Sequence, residues 1–258
     1  MQLLASEPVS IGKILDISIR LYKASFNKLV GLILLMAAIY VSQSLMTERL
    51  IGDPSADGSQ AHALMLARLP MAMGYLLVSS LVFFVIQLAI IYRIDNIVQQ
   101  REDSFIDALQ FGCKKFPAML WAVILYTLAI MGGTILFVVP GIALTLSMML
   151  YIYFIVVDSL SAYASLKASH NLVWGHWWRT LSVYMAPGVI AMVVYFALVA
   201  LLAFLGSNDN MTAKILTSVI SDLALAIFIP YFFVLGYVQF HDLKLRKSGG
   251  DLALRLAK

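Results

Sequence analysis

The longest uncharged stretch of this chain, residues 118–157, places the strongest constraint on its fold. It contains 40 residues without one Asp, Glu, Lys or Arg. A single α-helix of that length would be about 60 Å long, roughly twice the hydrocarbon thickness of a bilayer. The stretch must therefore fold back on itself within a membrane. We predict the turn at Pro140-Gly141, because proline breaks the helical backbone ladder and glycine tolerates turn geometry.

The overall composition also indicates that membrane lipid surrounds most of the chain. Hydrophobic residues make up 62% and charged residues 12% of the 258 positions, whereas about 25% of the residues in a soluble domain are charged. A soluble core of this size could not cover so much apolar side chain, because surface grows too fast relative to volume. We expect an all-α membrane protein that forms one polytopic domain over residues 1–258. Its predicted spans lie at about 27–46, 71–92, 118–139, 141–157, 181–205 and 215–240.

The positions of Lys and Arg predict the orientation of these six transmembrane helices. With the N-terminus inside, the cytoplasmic segments hold 15 of the 18 basic residues, and the outer connections hold Arg49, Arg68 and Lys214. Short cytoplasmic loops of membrane proteins carry such an excess of cations. We therefore predict a multi-pass protein with a cytoplasmic N-terminus and a cytoplasmic C-terminus. The same arrangement accounts for the net charge of +4 without a nucleic-acid partner, because the cations form no nucleic-acid-binding motif.

Three connecting segments have the pattern of interfacial amphipathic helices, at about 11–26, 104–116 and 159–174. In the first, polar residues recur at steps of three and four beside an apolar face, which is typical of a helix in the headgroup plane. A soluble regulatory helix is the alternative. The second begins with a capping box, Ser104 with Asp107. Its apolar face includes Cys113, an expected inert core thiol, and Pro117 is expected to start the next span.

The third segment carries small residues on one face, Ser161, Ser165 and Ser169, which suit close helix contact. Gly175 is the predicted end of this helix. The segment is either a docking or lipid-headgroup surface or an anchor that packs under the bundle, and we favour the anchor. The residues around its end are predicted interfacial anchors, namely Trp174, Trp177, Trp178 and Arg179. The tail, 241–258, is basic and expected to lie along the membrane, with a break at residues 248–250 before a short helix.

Polar groups within the predicted spans are few. Asp222 is the one charged residue well inside a span, since Lys28 lies at the edge of the first, and an ionisable group at that depth suggests a proton or ion pathway. The simpler interpretation is a boundary position, an interhelical pair or a protonated carboxyl group. The remaining polar groups are expected to serve helix packing, among them Gln87, Thr127, Thr134, Thr145 and Ser147. We find no nucleotide-binding loop, nucleophile elbow or zinc motif, so we expect no catalytic residues, no cofactor and no metal.

One part of the chain resembles a known family. The stretch 138–142, a second apolar span, Asp158 and then the stretch 164–174 resemble the YciC-like family of bacterial inner-membrane proteins. The order of the spans and the helix before Pro117 are also similar. A weaker likeness exists to the membrane domain attached to some glycerophosphodiester phosphodiesterases. The resemblance implies a polytopic protein of the bacterial cytoplasmic membrane, and it supplies no catalytic residues.

Three classes of function remain, in order of preference. The first is a non-enzymatic membrane protein that acts through membrane lipids or other membrane proteins in envelope maintenance. It accounts for the interfacial helices and the small-residue face. The alternative is a small-solute or proton-coupled transporter or channel with Asp222 in the pathway, for which Pro187-Gly188 and Pro230 would provide kinks. A membrane enzyme is disfavoured, because no constellation of catalytic groups is visible.

Overall fold

The computed structural model describes residues 4–51, 58–205 and 211–256, and every regular element in these ranges is an α-helix. Six helical segments are long and apolar enough to cross a membrane. The prediction of an all-α membrane protein with six spans is thus confirmed. The helices are α1 (Ile11–Ile51), α2 (Gly58–Val98), α3 (Phe105–Leu136), α4 (Val138–Met148), α5 (Tyr151–Val156), α6 (Ala162–Val173), α7 (Trp177–Leu205) and α8 (Met211–Leu256).

The amphipathic segment at 11–26 and the first span form one continuous helix, α1, which packs extensively against α8. At 41 residues it is about 60 Å long by helical rise. Its apolar stripe at Ile14, Ile17 and Leu21 is almost fully buried. Protein therefore covers this face, because a stripe that the chain itself buries has no surface left for lipid. A position in the headgroup plane stays a prediction.

The uncharged stretch folds back at Phe137 and not at Pro140-Gly141. Phe137 has extended backbone angles, φ −161° and ψ 147°, between α3 and α4. Pro140 is instead the third residue of α4, where its missing N–H is one of the donors that the first turn leaves unsatisfied. Gly141 serves helix contact, because a Cβ there would lie 3.1 Å from the Cα of Thr134 on α3.

Three further expectations, two on α3 and one on α8, are wrong. α3 runs through Pro117 without restarting. Cys113 is exposed rather than buried. α8 continues through residues 248–250 to Leu256, so the tail does not break there. The helix-forming pattern on both sides outweighs the cost of about 1 kcal/mol for each glycine. The predicted outer loop is mostly helical up to Ile51 and from Gly58, and residues 52–57 lie outside the described residues.

The predicted cap of α3 and the predicted end of α6 are confirmed. Ser104 and Asp107 form the capping box at the start of α3. α6 ends at Val173, and Gly175 follows with φ +88°, a backbone angle that glycine adopts without strain. The small-residue face of α6 makes close contact as predicted. Ser169 Oγ accepts from Leu150 N at 3.1 Å and donates to Ser147 O at 2.9 Å, which ties α6 to the break between α4 and α5.

Candidate functional site

A buried carboxylate, Asp242 on α8, organises one end of the bundle. Its side chain is 3% exposed and accepts hydrogen bonds from Val9 N at 2.8 Å, Arg179 Nη2 at 3.0 Å and Arg246 Nε at 2.8 Å. Arg246 Nη2 also donates to the Val9 carbonyl at 2.7 Å, and Arg179 Nη2 donates to the same oxygen. The N-terminal segment is thereby attached to α7 and α8.

This arrangement satisfies the physical requirements of a buried charge. A carboxylate removed from water needs an opposite charge and hydrogen bonds to its oxygen atoms. Arg246 stands four residues after Asp242, on the same face of α8. Arg179, a predicted interfacial anchor, is brought from the start of α7 and completes the pairing. Arg179 therefore joins helices within the protein.

A second carboxylate, Asp95, joins α2 to α8. Tyr237 Oη donates to Asp95 Oδ1 and Gln99 Nε2 donates to Asp95 Oδ2, both at 2.7 Å. Nearby in sequence, Arg93 Nε lies 2.9 Å from Asp103 Oδ2, an ion pair whose N–H direction does not meet hydrogen-bond geometry. The Tyr237 contact holds the end of α2 against α8, and the Arg93 pair holds the connection to α3 against α2.

The connector between α5 and α6 meets the same end of the bundle. Lys244 Nζ donates to both oxygens of Asp158, at 2.8 and 2.6 Å, and lies 4.4 Å from the ring centroid of Phe240. Lys247 Nζ donates to the Asn171 carbonyl at 3.2 Å. The N-terminal segment, the connectors after α2 and α5 and the final part of α8 are therefore gathered at one end of the molecule.

Exposed cations and indole rings surround these internal pairs. We use the term basic rim for six exposed basic residues on the elements of this end together with Trp174 and Trp178, which are 64% and 65% exposed. Arg20 and Lys247 are also exposed but are not included, because Arg20 pairs with Asp16 and Lys247 donates to Asn171. Trp177 is partly buried and stacks on Trp178 with ring centroids 4.0 Å apart. The cations of the basic rim are Lys13, Lys23, Lys28, Arg101, Lys114 and Lys167. Three of the four predicted anchor residues thus lie together at the surface or beside it.

Asp222, the predicted intramembrane polar residue, lies on α8 away from this end. It is 9% exposed and close enough to Tyr40 on α1 for its charge to act on that residue. It also takes part in a further polar interaction. Among the described residues, no group of three His, Cys, Asp or Glu side chains is placed to hold a metal ion.

Sequence reasoning missed Asp242, Asp95 and Tyr237. The spacing of Asp242 and Arg246 was a visible signal, because a carboxylate four residues before an arginine forms a helical ion pair. The basic and apolar residues of the tail dominate its pattern, and Asp242 is an acidic residue among them. No local pattern indicates that Arg179 or Val9 reaches the same carboxylate.

Comparison with known proteins identifies distant relatives. Over 154 residues the chain is 28% identical to UPF0259 membrane proteins of Yersinia pestis (strain Pestoides F) and Yersinia pseudotuberculosis (strain YPIII). The match covers 58% of this chain and 57% of each relative. No family model and no solved structure matches the chain. The similarity and the six apolar helices agree that this is a multi-pass membrane protein.

Proposed function

We propose that this chain is a non-enzymatic protein of the bacterial cytoplasmic membrane that acts through anionic lipids and membrane-protein partners in envelope maintenance. In this proposal both termini are cytoplasmic, and the chain is a member of the YciC-like family. The distant similarity to UPF0259 membrane proteins supports a bacterial membrane protein. The observation that carries the lipid part of the proposal is the basic rim.

The basic rim has the chemistry of a headgroup-binding surface. The carboxylates of Asp242 and Asp95 are buried and held by partners within the bundle, and the exposed carboxylate of Asp158 pairs with Lys244. The cations of the basic rim remain exposed and carry positive charge beside exposed indole rings. Each cation near an anionic leaflet contributes about 1 kcal/mol of attraction, and tryptophan prefers the headgroup level. Because these three carboxylates are paired with other groups, the cations of the basic rim stay available, which supports lipid binding at this end.

Lipid selectivity tests the proposal. The full-length protein is placed in mixed micelles with phosphatidylglycerol or phosphatidylcholine, and retained lipid is counted by native mass spectrometry. We expect preferential retention of phosphatidylglycerol. The triple substitution Lys13→Gln, Lys114→Gln, Lys167→Gln removes three rim charges and should abolish most of that preference. Lys214→Gln, on the predicted outer side, is the matched control and should leave it unchanged. Equal retention of both lipids by the unmodified protein would overturn the proposal.

One observation favours a second candidate function, a proton-coupled transporter. Asp222 is buried on α8, and Pro187 and Pro230 lie inside α7 and α8. Intramembrane carboxylates commonly belong to ion or proton pathways. Proton uptake into proteoliposomes by the unmodified protein and by Asp222→Asn tests this candidate.

A further inference from the structure

A cleft of about 260 Å³ lies inside the bundle, away from the basic rim and from Asp222. Helices α2, α3, α5, α7 and α8 all contribute to its wall. Most of the lining side chains are aromatic, and two are methionines, which adapt their shape to a ligand. The lining residues are Gln87, Met119, Tyr126, Met149, Tyr151, Ile152, Tyr153, Tyr184, Phe232 and Phe233.

Three of the four phenol groups around the cleft are held by the protein. Tyr153 Oη donates to the Phe233 carbonyl at 3.0 Å and is hydrogen-bonded to the Tyr184 hydroxyl. Tyr126 Oη donates to the Thr145 carbonyl at 3.1 Å. The absence of a side chain at Gly236 makes room for this arrangement, because a Cβ there would overlap the hydroxyl of Tyr153. The wall of the cleft is therefore fixed before any ligand arrives.

Two polar side chains in the wall have no such partner. Tyr151 is 8% exposed, and its ring lies against Tyr126 with centroids 5.4 Å apart. Within the described residues, neither the Tyr151 hydroxyl nor the Gln87 amide makes a hydrogen bond to the protein. Gln87 is partly exposed in the cleft wall. Polar groups in an apolar surrounding gain from a hydrogen-bond partner, and lipid offers few, so these two groups are available to a ligand.

We propose that this cleft binds a lipid-soluble, flat ring with carbonyl oxygens, of the quinone class, with Tyr151 and Gln87 donating hydrogen bonds to it. Flat rings stack on aromatic side chains, and most of the wall is aromatic. An acyl chain would pack equally well on aliphatic residues, but Ile152 is the one branched aliphatic residue in the wall. The volume is close to the lower limit of about 300 Å³ for small-molecule sites, which suits a ring rather than a whole lipid.

Binding of a decyl-substituted benzoquinone tests the proposal, with the full-length protein in nanodiscs and isothermal titration calorimetry as the readout. We expect saturable binding to the unmodified protein. Gln87→Leu and Tyr151→Phe should each weaken it by about tenfold, because each removes one donor. The matched controls are Gln110→Leu and Tyr195→Phe, which change the same residue types outside the cleft and should bind as the unmodified protein does.

Two further comparisons make the result decisive. Decylbenzene, which has the same tail and a ring without carbonyl oxygens, should bind at least about tenfold more weakly. Circular dichroism and thermal unfolding should show that Tyr151→Phe is folded. Absence of saturable quinone binding, equal binding of decylbenzene, or unchanged affinity in both cleft variants would each overturn the proposal.

Discussion

The carboxylate of Asp242 accepts the backbone N–H of Val9 at 2.8 Å, although 233 positions of sequence separate the two residues. This hydrogen bond joins the N-terminal segment to the last helix. Because it comes with Arg179 and Arg246 on the same carboxylate, we regard Asp242 as the main structural support of the basic end.

Asp242→Ala should destabilise the protein more than other charge substitutions. It leaves the two arginines without their partner, and breaking a buried pair costs about 3–5 kcal/mol. The free energy of unfolding, measured in detergent by denaturant titration, checks this. Asp16→Ala is the control, because Asp16 pairs with Arg20 at the surface, where both side chains are about 60% exposed, and such pairs contribute about 0–1 kcal/mol. Equal losses in the two variants would contradict the prediction.

Tyr237→Phe should loosen the contact between α8 and α2. It removes the hydroxyl that donates to Asp95 at 2.7 Å, and hydrogen bonds to charged groups contribute about 1.5–3 kcal/mol. We expect a loss of that order in the free energy of unfolding. Tyr163→Phe is the matched control, because Tyr163 is 69% exposed. A Tyr237→Phe variant as stable as the control would show that Asp95 finds another donor.

Two glycines in the α3–α4 hairpin should respond oppositely to alanine. At Gly141 a Cβ would lie 3.1 Å from both the N and the Cα of Thr134, and overpacking of this kind costs about 1–3 kcal/mol. At Gly132 nothing lies within 4 Å of the added Cβ, so alanine should be neutral or stabilise the helix by up to about 1 kcal/mol. Thermal unfolding of the two variants measures this, and a Gly141→Ala variant at least as stable as Gly132→Ala would contradict it.

Asp222→Asn distinguishes the two candidate functions. In the lipid-binding proposal, the substitution leaves folding and phosphatidylglycerol preference intact. In a transporter, it removes the titratable group and should abolish proton-coupled flux. Proton uptake into proteoliposomes, followed with an entrapped pH-sensitive dye, measures this in both proteins. Flux in the unmodified protein that disappears in a folded Asp222→Asn variant would establish the transporter.

Reporter fusions test the proposed orientation. Alkaline phosphatase fused after Lys258 should be inactive, and the same enzyme fused after Gly206 should be active, because it folds on the outer side of the membrane. The structure gathers the connector after α2 and the end of α8 at one end of the bundle, so fusions after Arg101 should match those after Lys258. Opposite activities at these two positions would contradict the fold as well as the orientation.

The sequence by itself determined the class of this protein and its local signals. The uncharged stretch at 118–157 required a membrane hairpin, and Ser104, Asp107 and Gly175 marked helix ends correctly. These features were predictable because hydrophobicity, capping and positive φ depend on neighbouring residues. The tertiary structure decided the turn at Phe137, the exposure of Cys113, the convergence of Val9, Arg179 and Arg246 on Asp242, and the cleft around Gln87 and Tyr151. These features depend on which helix faces meet, and the pattern of one segment can mark a contact face without naming the distant face that it meets.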